Sequence, residues 1–324
     1  MDKLKLKALY ADLRPDLDQV EMELSNCVSS DAPPLTEASL HLLEAGGKRI
    51  RPVFVLLSAK FGDFSIDRLK HVAVPVELIH MASLVHDDVI DDADTRRGRA
   101  TVKAEWNNRM AMYTGDFLFS KAIASLSQIQ SSYAHKLLAD TMVELCIGEI
   151  EQVEDKRLYN LTSRDYLRRI RRKTALLISV SCELGALASG VDEKTRVHLR
   201  NFGYYVGMSF QIVDDILDIV STDEKLGKPA GSDLLLGNIT LPVVYARNEA
   251  SVAKLLERIQ SGDTSEETRH ELLAILRKSD GLEKAKRISN LYLEKAMAEL
   301  KNLPNCTAKR SLQNIALFMS KRKF

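Results

Sequence analysis

Three long segments carry apolar residues around most of a helical circumference: residues 66–90, 163–188 and 192–220. A helix that is apolar on all sides cannot face water, so other helices must enclose it. That requirement selects a large helical bundle with an interior cavity over a sheet-based fold. Composition agrees where turns are concerned. Fifteen Gly and eight Pro in 324 residues are too few for the tight turns of a β-sandwich or barrel. Alternating five-residue runs typical of strands are absent, as are internal repeats, low-complexity tracts and linkers. The expectation is one all-α domain over 1–324.

Around those three segments the pattern is also helical. Leu6, Leu9, Tyr10, Leu13, Leu17, Val20 and Leu24 form one stripe at three- and four-residue spacing. A short helix over Thr36–Ala45 should stop at Gly46-Gly47, and another should open at Pro52 and stop at Gly62. Pro75 should kink the helix of residues 66–90. Further helices are expected over Gly115–Gln128, Tyr133–Asp155 and, in shorter pieces, from Leu241 to Phe324, with loops at 221–238 and 261–265.

Lys+Arg 46 against Asp+Glu 45 leaves a net charge of +1, the wrong balance for a general nucleic-acid or anionic-membrane partner. Cys27, Cys146, Cys182 and Cys306 are far apart with no Cys-x-x-Cys pair, which reads as reduced thiols in a cytoplasmic protein rather than a disulfide frame or a zinc site. No signal-peptide apolar core follows Met1, and no uncharged apolar run is long enough for a membrane span.

The chemistry-bearing pattern is Asp87-Asp88-Val89-Ile90-Asp91, repeated as Asp214-Asp215-Ile216-Leu217-Asp218. Random placement of 24 Asp in 324 residues would seldom produce one such pattern, and the chain has two. Residues four apart on a helix lie within about 6 Å, so Asp87 stacks on Asp91 and Asp214 on Asp218. Like charges at that spacing destabilise a helix unless a cation bridges them. Carboxylate oxygens suit Mg²⁺, which is commonly held by one or two carboxylates together with substrate phosphates. The bland alternative is a solvated acidic helix face. It fits poorly here, because both clusters follow apolar stretches where buried carboxylates are costly without partners. The expectation is two Mg²⁺-binding clusters facing one cavity, with an anion such as diphosphate between them.

Basic groups stand where such an anion could be held. Gly46-Gly47-Lys48-Arg49-Ile50-Arg51-Pro52 is a helix-to-helix turn whose glycines admit close backbone approach, and the following helix N-terminus favours an anion. It has no Walker A spacing, and an ordinary helix cap with solvated bases would look similar. Arg96-Arg97-Gly98-Arg99 follows the first acidic cluster; it suits either phosphate oxygens or a surface salt-bridge patch. Lys173 in the helix of residues 163–188 could snorkel instead of serving a site. Lys228 follows the second cluster. His80 lies two turns before Asp87 on the same face, as a ligand or as a core histidine.

These pieces, in order, resemble the trans-isoprenyl (polyprenyl) diphosphate synthases: GGKRIRP at 46–52, the ELIHMASLVHDDVIDDADTRRG block at 77–98, GDFLF at 115–119, KTA at 173–175 and FQIVDDILDIVSTDEKLGKPAGSD at 210–233. The resemblance covers roughly residues 5–320. It implies an isoprenoid-synthase-type bundle of about ten or more helices around a deep central cavity. It also implies a Mg²⁺-dependent 1′–4 condensation of isopentenyl diphosphate onto an allylic diphosphate such as farnesyl diphosphate, with three ions once substrate is bound.

By the same resemblance, Asp87, Asp91 and Asp214 would carry the metal, supported by Asp88, Asp215 and Asp218. Arg96, Lys173 and Lys228 would meet the allylic diphosphate, and Thr174 and Gln211 would offer oxygen dipoles to the carbocation. Lys48, Arg51, His80 and Arg97 would hold isopentenyl diphosphate. Many relatives carry Lys where this chain has Asn238, so no ligand role is assigned there. A homodimer is implied, or a heterodimer with a smaller component I subunit; the apolar segment Gly115–Gln128 is a possible contact surface.

One helix turn rises about 5.4 Å, close to one extended isoprene unit, so residues a turn before Asp87 should act as a floor for the growing tail. Ala82 and Ser83 are small there, which leaves the floor open and predicts a medium-to-long product. The resemblance favours heptaprenyl, for quinone side chains such as those of menaquinone. Close helix packing would also explain two small residues. A class I terpene cyclase would carry Ser or Thr and Glu where this chain has Asp218 and Thr222, and it needs no second diphosphate site. A non-catalytic subunit of the same fold could have lost motif residues, and none is lost.

Overall fold

The computed structural model describes residues 11–156, 160–221, 230–231, 234, 237–263 and 265–320. After a 3₁₀ turn at Ala11–Leu13, the chain forms α1 (Arg14–Cys27), α2 (Pro33–Glu44), α3 (Ile50–Ala59) and α4 (Ile66–Ile90). Two short strands follow, β1 (Thr95–Arg96) and β2 (Arg99–Ala100). Then come α5 (Val102–Glu105), α6 (Asn108–Leu126), α7 (Ser132–Glu154) and α8 (Ser163–Ile170). A π-helical turn at Arg171–Ala175 leads into α9 (Leu176–Ala188), followed by α10 (Glu193–Val220), α11 (Leu241–Ala246), α12 (Ala250–Gln260), α13 (Glu266–Leu276), α14 (Asp280–Lys301) and α15 (Thr307–Ser320). The architecture is all-α.

Two compact units interleave along the sequence: residues 1–142, 177–200 and 302–315 form one, and 143–176, 201–301 and 316–324 the other. In the first, α4 packs against α3 and α6. Every residue from Val72 to Ile79 of α4 is buried, so the helix is enclosed on all sides, as its sequence requires. α4 continues through Pro75. In α1, Leu17, Val20 and Leu24 are the buried stripe that the spacing predicts; Leu6, Leu9 and Tyr10 lie outside the described residues.

In the second unit, Met208, Ile212 and Ile216 recur every four residues along α10 and pack with Tyr166, Ile170, Ala175, Leu241, Leu282 and Ala285. A second cluster joins Ile219, Ile239, Val243 and Val244 to Leu255, Leu256, Leu272 and Leu276. All four cysteines are free thiols. Among the described residues no helix is long and apolar enough to cross a membrane.

Two local helix expectations need correction, and one small element adds to the all-α reading. The chain does contain a β-hairpin, with Thr95 paired to Ala100 and Arg96 to Arg99. Two residues per strand are too few to register as alternation. The turn itself is a two-residue loop with positive φ at Arg97 (55°) and Gly98 (79°), the geometry that suits the twist of paired strands. The segment 163–188 is not one α-helix, because the π turn interrupts it. The helix expected from Gly115 begins at Asn108, where the Asn107 side chain accepts a hydrogen bond from the Met110 N–H at 2.9 Å and caps it.

Candidate active site

In the first unit, the acidic cluster occupies the C-terminal turn of α4. Asp87 and Asp88 are buried and Asp91 is the half-buried cap residue. A helix C-terminus carries partial negative charge, so carboxylates there call for cations. Asp88 receives both Nε and Nη2 of Arg96 at 2.7 Å. Burial raises the Asp88 carboxyl above its usual range, and Arg96 opposes the shift. Asp92 and Asp94 are drawn away by Lys103, which bonds Asp92 and stands 3.4 Å from Asp94. The run of five Asp is therefore partitioned. Asp87 and Asp91 form the one-turn pair, Asp88 belongs to Arg96, and the outer two belong to Lys103. Beside them, His86 stands 3.4 Å from Asp116 and 3.3 Å from the Met112 carbonyl of α6.

The basic residues of the same unit converge on the turn before α3. A Cβ at Gly47 would lie 3.0 Å from Arg97 Nη1 and 3.1 Å from Arg49 Nη1, so glycine is what lets both guanidinium groups reach this backbone. Arg49, at left-handed φ 47°, caps α3. Its guanidinium is buried between Glu21 (Nη2–Oε2, 3.0 Å) and Glu77 (Nη1–Oε1, 3.2 Å) and also donates to the Leu43 carbonyl. Glu77 is itself buried on α4, one turn before His80.

Arg51 Nε is buried with no hydrogen-bond partner. Burial pulls the Arg51 guanidinium down to about 10, against the attraction of Glu77. Burial, followed by the charges of Arg51, Arg97, Arg96 and Arg49, drives the His80 imidazole well below its usual range, so the ring is neutral at pH 7. Lys48 is half-buried in the same turn. Arg49, Arg51 and Arg97 outnumber the carboxylates Glu21 and Glu77, an excess of guanidinium charge that suits an anion, with His80 beside them as a neutral hydrogen-bonding group. The hairpin arginines divide their work: Arg96 goes to Asp88, Arg97 to Gly47, and Arg99 to Glu44 at 3.7 Å on the surface. Ala82 is fully buried one turn before the aspartates, and the half-buried Ser83 hydroxyl donates to the His80 carbonyl at 2.9 Å.

In the second unit, Asp214, Asp215 and Asp218 lie in the last two turns of α10, Asp214 half-buried and the other two buried. The Tyr166 hydroxyl donates to Asp215 Oδ2 at 2.6 Å, and Gln211 Nε2 donates to Oδ1 at 2.8 Å. The Thr174 hydroxyl donates to Gln211 Oε1 at 2.7 Å. Lys173 pairs with Glu149 at 3.0 Å. The π turn presents Lys173 and Thr174, and π bulges of this kind recur at functional positions. A Cβ at Gly207 would lie 2.6 Å from the Ala175 Cα, so glycine admits the turn against α10. Asn238 Oδ1 is buried without a hydrogen-bond partner. Lys228 and Thr222 lie outside the described residues.

Sequence reasoning missed Glu21, Arg49, Glu77, Glu149 and Tyr166. Arg49 was visible inside the glycine-rich turn, but nothing in spacing links it to carboxylates 28 residues away on either side. Tyr166 reads as an ordinary core aromatic.

Among the described residues no three His, Cys, Asp or Glu side chains converge as a ready-made metal cage. The donor chemistry fits Mg²⁺ nonetheless. Asp87 with Asp91, and Asp214 with Asp218, are carboxylate pairs one turn apart, the few-ligand set that this ion completes with phosphate oxygens and water.

Known proteins resemble this chain over most of its length. The polyprenyl synthetase family profile matches residues 32–276. The chain is 53% identical over 324 residues to heptaprenyl diphosphate synthase component 2 of Bacillus subtilis, covering 100% of this chain and 93% of that one. Heptaprenyl diphosphate synthase of Staphylococcus aureus superposes with a TM-score of 0.90 at 42% identity, over 96% of this chain and 98% of that one. A polyprenyl synthase of Caulobacter crescentus, solved in complex with calcium and isoprenyl diphosphate, gives 0.91 at 32% identity, over 98% of each chain.

Proposed function

This chain belongs to the polyprenyl synthetase family of prenyltransferases, and from that premise we propose that it is a trans-polyprenyl diphosphate synthase with a heptaprenyl product. It extends an allylic diphosphate such as farnesyl diphosphate by successive 1′–4 condensations with isopentenyl diphosphate, as one synthase domain over 1–324. The observation that carries this reading is the partition of the first acidic run. Asp87 and Asp91 lie one turn apart at the end of α4, with Asp88 held by Arg96, in the same unit as Arg51, Arg97 and the neutral His80.

In this reading Asp87, Asp91 and Asp214 are the metal ligands. Mg²⁺ held there would supply Lewis-acid charge neutralisation for the allylic diphosphate. Arg96, Lys173 and Lys228 add positive charge for that leaving group. Thr174 and Gln211 turn oxygen dipoles toward the allylic carbocation. Lys48, Arg51, His80 and Arg97 bind the diphosphate of isopentenyl diphosphate. Its double bond then attacks the allylic carbon. A C–C bond replaces the broken C–O bond, and transfer of a proton to the departed diphosphate gives a product one isoprene longer. Ala82 and Ser83 leave room for the tail to pass one turn beyond Asp87.

The relative's name, component 2, supports a partner first component; a heterodimer with a smaller subunit is the form we propose. A partner surface is supported by the second half of α7, where Val143, Ile147, Ile150 and Val153 are all exposed along one helical stripe. The cytoplasm, where both diphosphate substrates would be met in solution, is the proposed compartment.

The test supplies farnesyl diphosphate, labelled isopentenyl diphosphate and Mg²⁺ to the purified chain, alone and after co-expression with a candidate first component. Products are resolved by length. A ladder ending at seven isoprene units is the expected result. No condensation in either preparation would sink the reading.

A further inference from the structure

The second acidic cluster contains a hydrogen-bond chain whose polarity is forced. Asp215 sits on α10 with one oxygen accepting from the Tyr166 hydroxyl at 2.6 Å and the other from Gln211 Nε2 at 2.8 Å. A carboxylate repels a carbonyl oxygen, so the Gln211 amide must turn its NH₂ to Asp215 and its oxygen away. That oxygen accepts from the Thr174 hydroxyl at 2.7 Å. Thr174 has thereby committed its only proton, and both Thr174 and Gln211 are left with oxygen lone pairs to offer outward. A reversed amide would present N–H groups instead, the wrong sign for a carbocation. The tyrosine that holds Asp215 in place for this is fully buried on α8, in the same apolar cluster as Ile212 and Ile216 of α10.

We infer that Tyr166 is a positioning residue that acts through Asp215 to lock the Gln211 amide and the Thr174 hydroxyl with their oxygens presented to the allylic cation. Asp215 is then an orienting carboxylate, set apart from its neighbour Asp214 and from Asp218. This inference rests on the proposed synthase reading for its catalytic consequence, while the hydrogen-bond chain itself stands without substrate or metal.

The experiment is a double-mutant cycle of Tyr166→Phe and Gln211→Leu, read in two ways. Thermal melting of the ligand-free full chain reports the hydrogen-bond chain. The two single losses should exceed that of the double variant when summed, because each breaks the same network. Steady-state kinetics with farnesyl diphosphate, isopentenyl diphosphate and Mg²⁺ report its use. Tyr166→Phe should lower kcat about tenfold, the scale of one hydrogen bond to a buried charge, with the KM for isopentenyl diphosphate and the Mg²⁺ midpoint unchanged. In the Gln211→Leu background Tyr166→Phe should cost nothing further.

Strictly additive losses in kcat would overturn the inference, because Tyr166 would then act independently of Gln211. So would a raised Mg²⁺ midpoint in Tyr166→Phe, which would return Asp215 to the metal. Should Tyr166→Phe fail to fold, Thr174→Val paired with Gln211→Leu tests the other end of the chain by the same criteria. A wild-type chain without condensation activity would remove the synthase reading, and the melting cycle would still decide whether the locked amide exists.

Discussion

The two aspartate clusters share a sequence pattern and a place at a helix C-terminus, yet they are supported differently. At the end of α4, the middle carboxylate is held by a full charge: Arg96 reaches Asp88 with two nitrogens at 2.7 Å. At the end of α10, the corresponding carboxylate, Asp215, is held by the neutral dipoles of Tyr166 and Gln211. An ionic clamp binds strongly, but it is available to exchange its carboxylate for a phosphate. A clamp of neutral dipoles holds geometry without competing for an anion. The comparison teaches that the repeated motif is not a repeated site. The first copy is tied to a guanidinium, and the second to a phenol hydroxyl and a side-chain amide.

The largest effects should come from what the clusters share. Asp87→Ala and Asp214→Ala should each lower kcat by roughly three orders of magnitude, the scale of losing metal-based charge stabilisation. Steady-state assays across Mg²⁺ concentration check this. Retention of near-normal rates in Asp214→Ala alone would break the comparison by leaving the second cluster structural.

Arg51→Ala comes next. Its buried, unpartnered Nε predicts a KM for isopentenyl diphosphate raised about 30-fold, with the allylic KM unmoved. Arg96→Gln should sharpen the contrast with Tyr166. Its expected effect is about a tenfold rise in allylic KM, where Tyr166→Phe changes kcat instead. An unchanged allylic KM would reduce Arg96 to a clamp on Asp88.

Ala82→Phe should shorten the product with little change in initial rate, and chromatography of the products decides it; an unchanged length would mean that the tail does not pass Ala82. The smallest effect concerns pH. Burial holds the His80 pKa in the folded chain below the 6.5 of the unfolded one. Between the two values the unfolded chain binds a proton that the folded chain does not. Stability is therefore intact above 6.5 and declines as pH falls through that window. His80→Asn should flatten the decline in melting temperature measured from pH 7 downward.

Much of this was legible in the chain itself. Spacing alone paired Asp87 with Asp91 and Asp214 with Asp218, and the apolar girth of residues 66–90 required the enclosure that α4 has. The glycine-rich turn marked a place where guanidinium groups gather. What spacing could not separate was function within the runs: Asp88 from Asp87, or Asp92 and Asp94 from Asp91. Those distinctions depend on Arg96, on a hairpin too short to leave a periodic signal, and on Lys103 of the four-residue helix α5.

Periodicity and residue chemistry are local, short-range properties, and they determined the helices, the carboxylate pairs and the kind of ion that suits them. Partner choice is not local. Arg49 joins Glu21 to Glu77, and Tyr166 meets Asp215 across 49 residues of sequence. A guanidinium or a hydroxyl has many chemically acceptable partners, and only packing decides which one stands within 3 Å once water is excluded. Tertiary structure therefore decided that Arg96 reaches Asp88 and that Tyr166 and Gln211 reach Asp215.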